Sequence, residues 1–220
     1  MIIVVANSKG GVGKSTVAVH LAGWLQQRGR AVALADCDSQ QSSSAWCREA
    51  VPGIHAVRLN TPDEIIEQLP LLDREFDFVI ADGPGSNVDT SRTLLLVAHL
   101  ALVPCKASML EVRALEQATR FIRQAHQVRG GQPKAVIILS MVGKHYRLTQ
   151  DMRTAAAALN LPLAKTPLIL RQVYADAPGQ GTVVARMGRR AAEAAGEVDA
   201  LFRELFPDVG RTKPRPTRTK

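Results

Sequence analysis

Aromatic residues are scarce in this chain, at 4% of 220 residues. The hydrophobic content is nevertheless 46%, so alanine, valine and leucine must fill the core, which suits helices packed closely on a buried sheet. Cysteine is nearly absent. Cys37, Cys47 and Cys105 make no CxxC pair and no zinc spacing, which leaves free thiols in a reducing compartment as the simplest reading. No apolar run approaches the roughly 18 residues that a membrane span needs. The apolar start, residues 1–6, is too short for a signal peptide, so a cytoplasmic protein without membrane attachment is expected. Acids are outnumbered, 20 Asp+Glu against 28 Lys+Arg, for a formal net charge of +8. Much of the excess is local: beyond Gly210 stand Arg211, Lys213, Arg215, Arg218 and Lys220 and no acid. Such a tail reads either as a solvated end or as an attractant for nucleic acid.

What is present alternates. Apolar strands are expected at 2–6, 31–36, 55–59, 77–82, 100–104 and 135–140, with a short one at 163–165. Between them helices are expected at 14–28, 41–49, 62–72, 90–98, 110–128 and 148–159, and a last helix at 183–206. Strands that are apolar throughout argue an α/β fold: a mostly parallel, twisted sheet covered by helices on both faces. No repeat and no linker divides the chain, so residues 1–207 are expected to form one domain and 208–220 a basic disordered tail.

The chemistry concentrates at strand ends. Lys9-Gly10-Gly11-Val12-Gly13-Lys14-Ser15-Thr16 follows the first strand and opens the first helix. Glycines let consecutive backbone N–H groups turn inward around a phosphate, Lys14 reaches the β- and γ-phosphates, and the Ser15 hydroxyl suits Mg²⁺. The helix start adds its positive end. The chain is therefore expected to bind ATP with Mg²⁺. A second strand ends in Asp36-Cys37-Asp38-Ser39-Gln40, two carboxylates at the sheet edge where ligands bind in open α/β sheets. Alone, such acids also suit a helix cap and an ion-pair partner. A third runs Phe78-Val79-Ile80-Ala81-Asp82 into Gly83-Pro84-Gly85, four apolar residues and an acid that would stand near the metal, through a water.

The general phosphate-loop pattern would place glycine at Ser8, and this loop carries a second lysine, Lys9. In both respects it resembles the deviant phosphate loop of the family that contains the ParA partition ATPases, MinD and the nitrogenase iron protein. The resemblance covers about residues 1–206 and is strongest over the first 90. It implies a nucleotide-sandwich homodimer in which Lys9 touches the partner's ATP, with Asp38 positioning the attacking water. It further implies that Asp36 supports the phosphate and Mg²⁺ site and that Asp82 acts at the metal. Asp36-Cys37-Asp38-Ser39-Gln40 resembles the family's DxDPQ motif with Ser39 in place of proline, which affects loop rigidity more than chemistry. Val103-Pro104 with Ser108 and Glu111 resembles a segment at the dimer face. The stretch from Leu163 through Arg171, Tyr174 and Val184 resembles the C-terminal region, where a loop covers adenine. Ser140-Met141 stands where many relatives have asparagine, so adenine recognition falls to backbone groups.

Within that family the closest resemblance is to short ParA-type partition ATPases, since the chain starts at its first strand. This implies slow hydrolysis, non-specific DNA binding in the ATP state, nucleoid association and a ParB/ParG-like adaptor that stimulates release. Candidate DNA contacts are Arg186, Arg189 and Arg190 on the last helix and Arg211, Lys213 and Arg215 in the tail. The tail lacks the large apolar residues of a membrane-binding helix, as a MinD-like regulator would need. Paired cysteines for an iron–sulfur cluster and a tyrosine-rich tail are also missing. The alternative is an ATPase of the same fold that positions a non-DNA protein cargo, acts in cofactor maturation, or is a MinD-like regulator.

Overall fold

The computed structural model describes residues 1–106, 109–143, 154, 156–157 and 160–209, and the backbone alone for 109–114. All of the expected helix at 148–159 except residues 154, 156 and 157, the tail residues Arg211, Lys213 and Arg215, Ser108 and the Glu111 side chain thus fall outside what is described. In chain order the elements are β1 (Ile2–Val5), α1 (Lys14–Gln26), β2 (Val32–Asp36), α2 (Ser42–Ala50), β3 (His55–Arg58) and α3 (Pro62–Glu75). Then follow β4 (Phe78–Asp82), α4 (Val88–Val97), β5 (Leu100–Lys106), α5 (Met109–Val128), β6 (Lys134–Ser140), α6 (Gln172–Gly179) and α7 (Ala192–Leu205).

The six strands form one sheet in the order β3-β2-β4-β1-β5-β6, and every pairing is parallel. The fold is α/β with both faces covered, as the apolar strands require. Alternate residues feed opposite layers. Ile3, Val5, Leu34 and Ile80 meet α1, α2 and α7 in one core, together with Leu21, Leu25, Trp46, Leu201 and Phe202. Ile2, Val4, Ala33, Ala35, Val79 and Ala81 face α3 and α4 on the other side, and Ala101, Val103 and Cys105 face α5. All three cysteines are buried and none forms a disulfide, and burial pushes the Cys47 thiol up to about 12.

Helix starts show local causes. Thr61 caps α3 in a reciprocal box with Glu64, and Pro62 takes the first helical position. Asn87 caps α4 by accepting from Thr90 N–H.

Two expectations at the C-terminal end are corrected. No strand forms at 163–165, only a single bridge from Leu163 to Ile137. Past Ala164 the backbone donors are diverted: Lys165 and Thr166 N–H both go to the Glu204 carboxylate on α7, at 2.7 and 3.1 Å. The helix expected over 183–206 is in fact two 3₁₀ turns, Val184–Arg186 and Gly188–Ala191, followed by α7. Gly188, at φ 70°, takes a left-handed conformation that no α-helix accommodates.

Candidate functional site

The C-terminal ends of β1, β2 and β4 open into a cleft of about 660 Å³, whose walls include Lys9, Lys14, Ser15, Asp38, Gly85 and Met141. The loop after β1 is anchored first. Asn7 donates to the Pro104 carbonyl at the end of β5 (2.7 Å) and accepts from Lys9 N–H (3.0 Å). Gly11 and Gly13 then turn at φ 70° and 90°. A Cβ on Gly13 would stand 2.9 Å from Ser140 Oγ, so the position requires glycine twice over.

Helix α1 begins at this point with Gly13 as N-cap, no side-chain cap and no acid in its first turn. The first-turn N–H groups of a helix lack intrahelical partners, so here they stay available to an anion together with the positive helix end. Lys14 is buried, with its Nζ folded back to donate to the Lys9 carbonyl at 3.0 Å. Desolvation lowers its pKa, while Asp82 and Asp38 pull the other way.

The two acidic strand ends meet through sheet register. Asp36 and Asp82 are direct partners across β2 and β4, and both are buried. They differ in what they do. Asp36 spends both oxygens on the backbone, accepting from Asp38 N–H (3.2 Å) and from Ser44 N–H (2.8 Å). Since Gln41 gives α2 no side-chain cap, Asp36 serves as its remote cap, and it does not line the cleft. Asp38 does line the cleft, held by a turn in which its carboxylate accepts from Gln40 N–H at 3.0 Å.

Asp82 is in the opposite situation. Burial raises its carboxyl to about 7, against the Ser15 and Ser43 hydroxyls and the Lys14 charge, which favour the ionised form. Its Oδ1 is buried with no hydrogen-bond partner. An orphaned buried carboxylate oxygen beside the Ser15 hydroxyl suits a hard divalent cation such as Mg²⁺. Among the described residues no cluster of three or more His, Cys, Asp or Glu could hold a metal. The cation would therefore complete its shell with phosphate oxygens and water, which is how Mg²⁺ is commonly held.

The segment after β4 closes the cleft. A Cβ on Gly85 would lie 3.3 Å from the Gly10 backbone and 3.4 Å from Lys14 Nζ, so this turn lies directly on the phosphate loop. Behind Gly13 a smaller cavity of about 130 Å³ is walled by Thr16, Ser140, Met141, Ile169, Arg171 and Tyr174 among others. It shares Gly13, Thr16 and Met141 with the main cleft.

Arg186, Arg189 and Arg190 are exposed, as expected, though on the 3₁₀ turns rather than a helix. Arg186 also donates to the Ala50 carbonyl at 2.8 Å, and Arg190 bonds to Gln180. Sequence reasoning missed three residues. Asn7 anchors the loop, and the Ser43 hydroxyl faces Asp82. His20 is the third: its Nδ1 meets the Thr16 carbonyl at 2.8 Å, its Nε2 accepts from Val184 N–H at 3.1 Å, and its ring edges Trp46 and Tyr174. The one available signal for His20 was its place one helical turn after Thr16.

Known proteins match this arrangement. A family model described as the CobQ/CobB/MinD/ParA nucleotide binding domain matches residues 3–184. The chain is 30% identical over 211 residues to the maintenance of carboxysome distribution protein A of Halothiobacillus neapolitanus, covering 93% of this chain and 96% of that protein. Among solved structures, apo McdA of Cyanothece superposes with a TM-score of 0.77 at 16% identity, covering 93% of this chain and 98% of its own. Cobyrinic acid a,c-diamide synthase of Mycobacterium smegmatis, solved with an ATP analogue and magnesium, does so at 0.69 and 22% identity, covering 98% of each chain. ATP and Mg²⁺ fit this family. Among the described residues no helix is long and apolar enough to cross a membrane.

Proposed function

The chain belongs to the CobQ/CobB/MinD/ParA nucleotide-binding family, and on that premise we propose that it is a slow ATPase that dimerises around ATP, grips duplex DNA without sequence preference in that state, and lets go when an adaptor protein stimulates hydrolysis. The observation that carries this reading is the pair of lysines in one loop. Lys14 folds back on the Lys9 carbonyl inside the cleft, and Lys9 stands on the cleft wall itself. One cation would serve the subunit's own phosphates, and the other would serve those of a second copy, where it would offset charge on the transferring phosphoryl group as an arginine finger does.

The remaining roles follow from placement. The uncapped start of α1, with Gly10 to Thr16, would cradle the phosphates, and the small cavity behind Gly13 would seat the base. Ser15 and Asp82 would hold Mg²⁺, which supplies charge neutralisation at the phosphates when bound. Asp38, the cleft carboxylate, would orient the attacking water. Asp36 would support the site indirectly, by fixing the first turn of α2. Among the described residues the cleft wall offers the Asp38 carboxylate, a weak base, so unassisted turnover is expected to be slow. DNA would meet the exposed Arg186, Arg189 and Arg190 and the basic tail, as phosphate contacts without base readout.

DNA retention by the ATP-bound protein tests the reading directly. Gel shifts on unrelated duplexes should show binding with ATP and Mg²⁺, little with ADP, and affinity that falls steeply as salt rises. Indifference to DNA at every salt concentration would sink the DNA half of the reading and leave the ATPase. A second reading of the cargo is favoured by the relative named for maintaining carboxysome distribution: the cargo would be a protein assembly rather than a plasmid or chromosome. The adaptor decides between them. A DNA-binding adaptor that stimulates hydrolysis indicates partition, and one that binds a protein assembly indicates positioning.

A further inference from the structure

Among the described residues, four buried side-chain polar atoms lack a hydrogen-bond partner: Arg30 Nε, Ser43 Oγ, Asp73 Oδ1 and Asp82 Oδ1. Two are accounted for. Asp73 Oδ1 pairs with the N-terminal amine, and Arg30 is engaged through other interactions. The two that remain are neighbours, with the Ser43 hydroxyl facing the Asp82 carboxyl without closing a hydrogen bond to Oδ1. A buried polar group left unpaired costs about 1–3 kcal/mol. Two of them side by side, buried next to the cleft that Ser15, Asp38 and Ser42 line, mark a place for a polar guest.

Local structure holds Ser43 to that place. Ser43 is the second residue of α2, and the Asp36 carboxylate pins the next N–H, that of Ser44, at 2.8 Å. Asp36 is itself in register with Asp82. The chain thus fixes a hydroxyl against the orphaned carboxylate from a different element than the one that supplies Ser15.

We propose that Ser43 is a positioning residue of the divalent-cation site, its hydroxyl holding, together with Asp82, a water bound to the cation that accompanies the nucleotide. The inference rests on the nucleotide reading above and adds to it a donor from α2. It predicts an unusual combination. Removing a hydroxyl that closes no hydrogen bond costs the nucleotide-free fold little, since only its weak support of the Asp82 carboxylate is lost. The cation, in contrast, loses an outer-sphere partner, which in metal sites costs about 10–100-fold in affinity.

The test uses the full chain and a fluorescent, non-hydrolysable ATP analogue titrated with MgCl₂, beside thermal melts without nucleotide. Ser43→Ala should melt within about two degrees of the wild-type temperature, yet need about 10-fold or more Mg²⁺ for half-maximal analogue binding. Ser43→Thr, which keeps the hydroxyl, should restore most of the Mg²⁺ response. An unchanged Mg²⁺ midpoint in Ser43→Ala overturns the proposal. So does a melting temperature several degrees lower, which would make the hydroxyl an ordinary structural bond. If the wild-type protein itself binds the analogue with no Mg²⁺ dependence, the nucleotide–metal reading fails and this inference with it.

Discussion

His20 gives a prediction whose size follows from the structure. The ring is fully enclosed, its Nδ1–H donating to the Thr16 carbonyl and its Nε2 accepting from Val184 N–H, so both nitrogens are used by the neutral form. Burial lowers its pKa to about 4, from 6.5 in an exposed histidine. Between those values the unfolded chain holds a proton that the folded chain refuses. The contribution is therefore fully kept above pH 6.5 and lost as pH falls towards 4. At pH 5 the loss is about 2 kcal/mol, and below pH 4 it approaches about 3 kcal/mol. Asp82 works in the opposite sense over much of the same range, since its folded pKa is raised to about 7 and the folded chain holds the extra proton. The wild-type profile alone thus mixes two opposed slopes. His20→Gln separates them, because an amide can donate to Thr16 and accept from Val184 at any pH. Urea denaturation at pH 8 and pH 5 should show wild type losing about 2 kcal/mol more than His20→Gln between the two conditions. The variant itself is expected to be weaker at both, having lost its ring contacts with Trp46 and Tyr174. A constant difference between the proteins across pH would refute the neutral, buried assignment.

Lys9→Ala should bind ATP nearly as wild type but stay monomeric with ATP and Mg²⁺, which sizing by light scattering reads directly. In contrast, Lys14→Ala removes a cation that is buried in the site and should weaken ATP binding by about 2–5 kcal/mol in calorimetry. Asp38→Ala is expected to lower phosphate release by about 10²–10⁴-fold while leaving nucleotide bound, so its ATP complex should persist on DNA in a dissociation assay. Deleting residues 211–220 removes five positive charges, and each one that contacts phosphate should take about 0.9 from the slope of log affinity against log salt. An unchanged slope would leave Arg186, Arg189 and Arg190 as the main candidates for DNA contact.

The parts of the site that lie close together in sequence were legible. A glycine turn between an apolar strand and a helix fixes its own geometry, so eight consecutive residues were enough to place the loop that lines the cleft. The same holds for the acid that ends each of β2 and β4. What lay beyond reach was the relation between those acids. Asp36 and Asp82 become neighbours only through the register of two strands that are remote in sequence. That register gives Asp36 a backbone-capping duty and leaves Asp82 Oδ1 bare, a division that no motif expresses.

The C-terminal correction has a related cause. Val184, Met187 and Ala191 recur at three and four residues, a spacing that reads as one helix face. The period does not discriminate here, because 3₁₀ turns also bring residues three apart onto one side. Gly188 decides the matter through a left-handed φ that the sequence permits without requiring. The consequence reaches function. Breaking the helix there allows the segment to turn, so that Val184 N–H meets His20 while Arg186, Arg189 and Arg190 stay exposed. Thr182 and Arg186, on either side of Val184, bond to Trp46 and to the Ala50 carbonyl of α2. The basic turn is thus fastened to α1 and α2, the same two helices whose first turns border the main cleft. A single continuous helix from 183 would not have presented those arginines and made that bond in the same way. The break at Gly188 is for this reason part of how the segment is fastened to α1 and α2 rather than an irregularity at the edge of the fold.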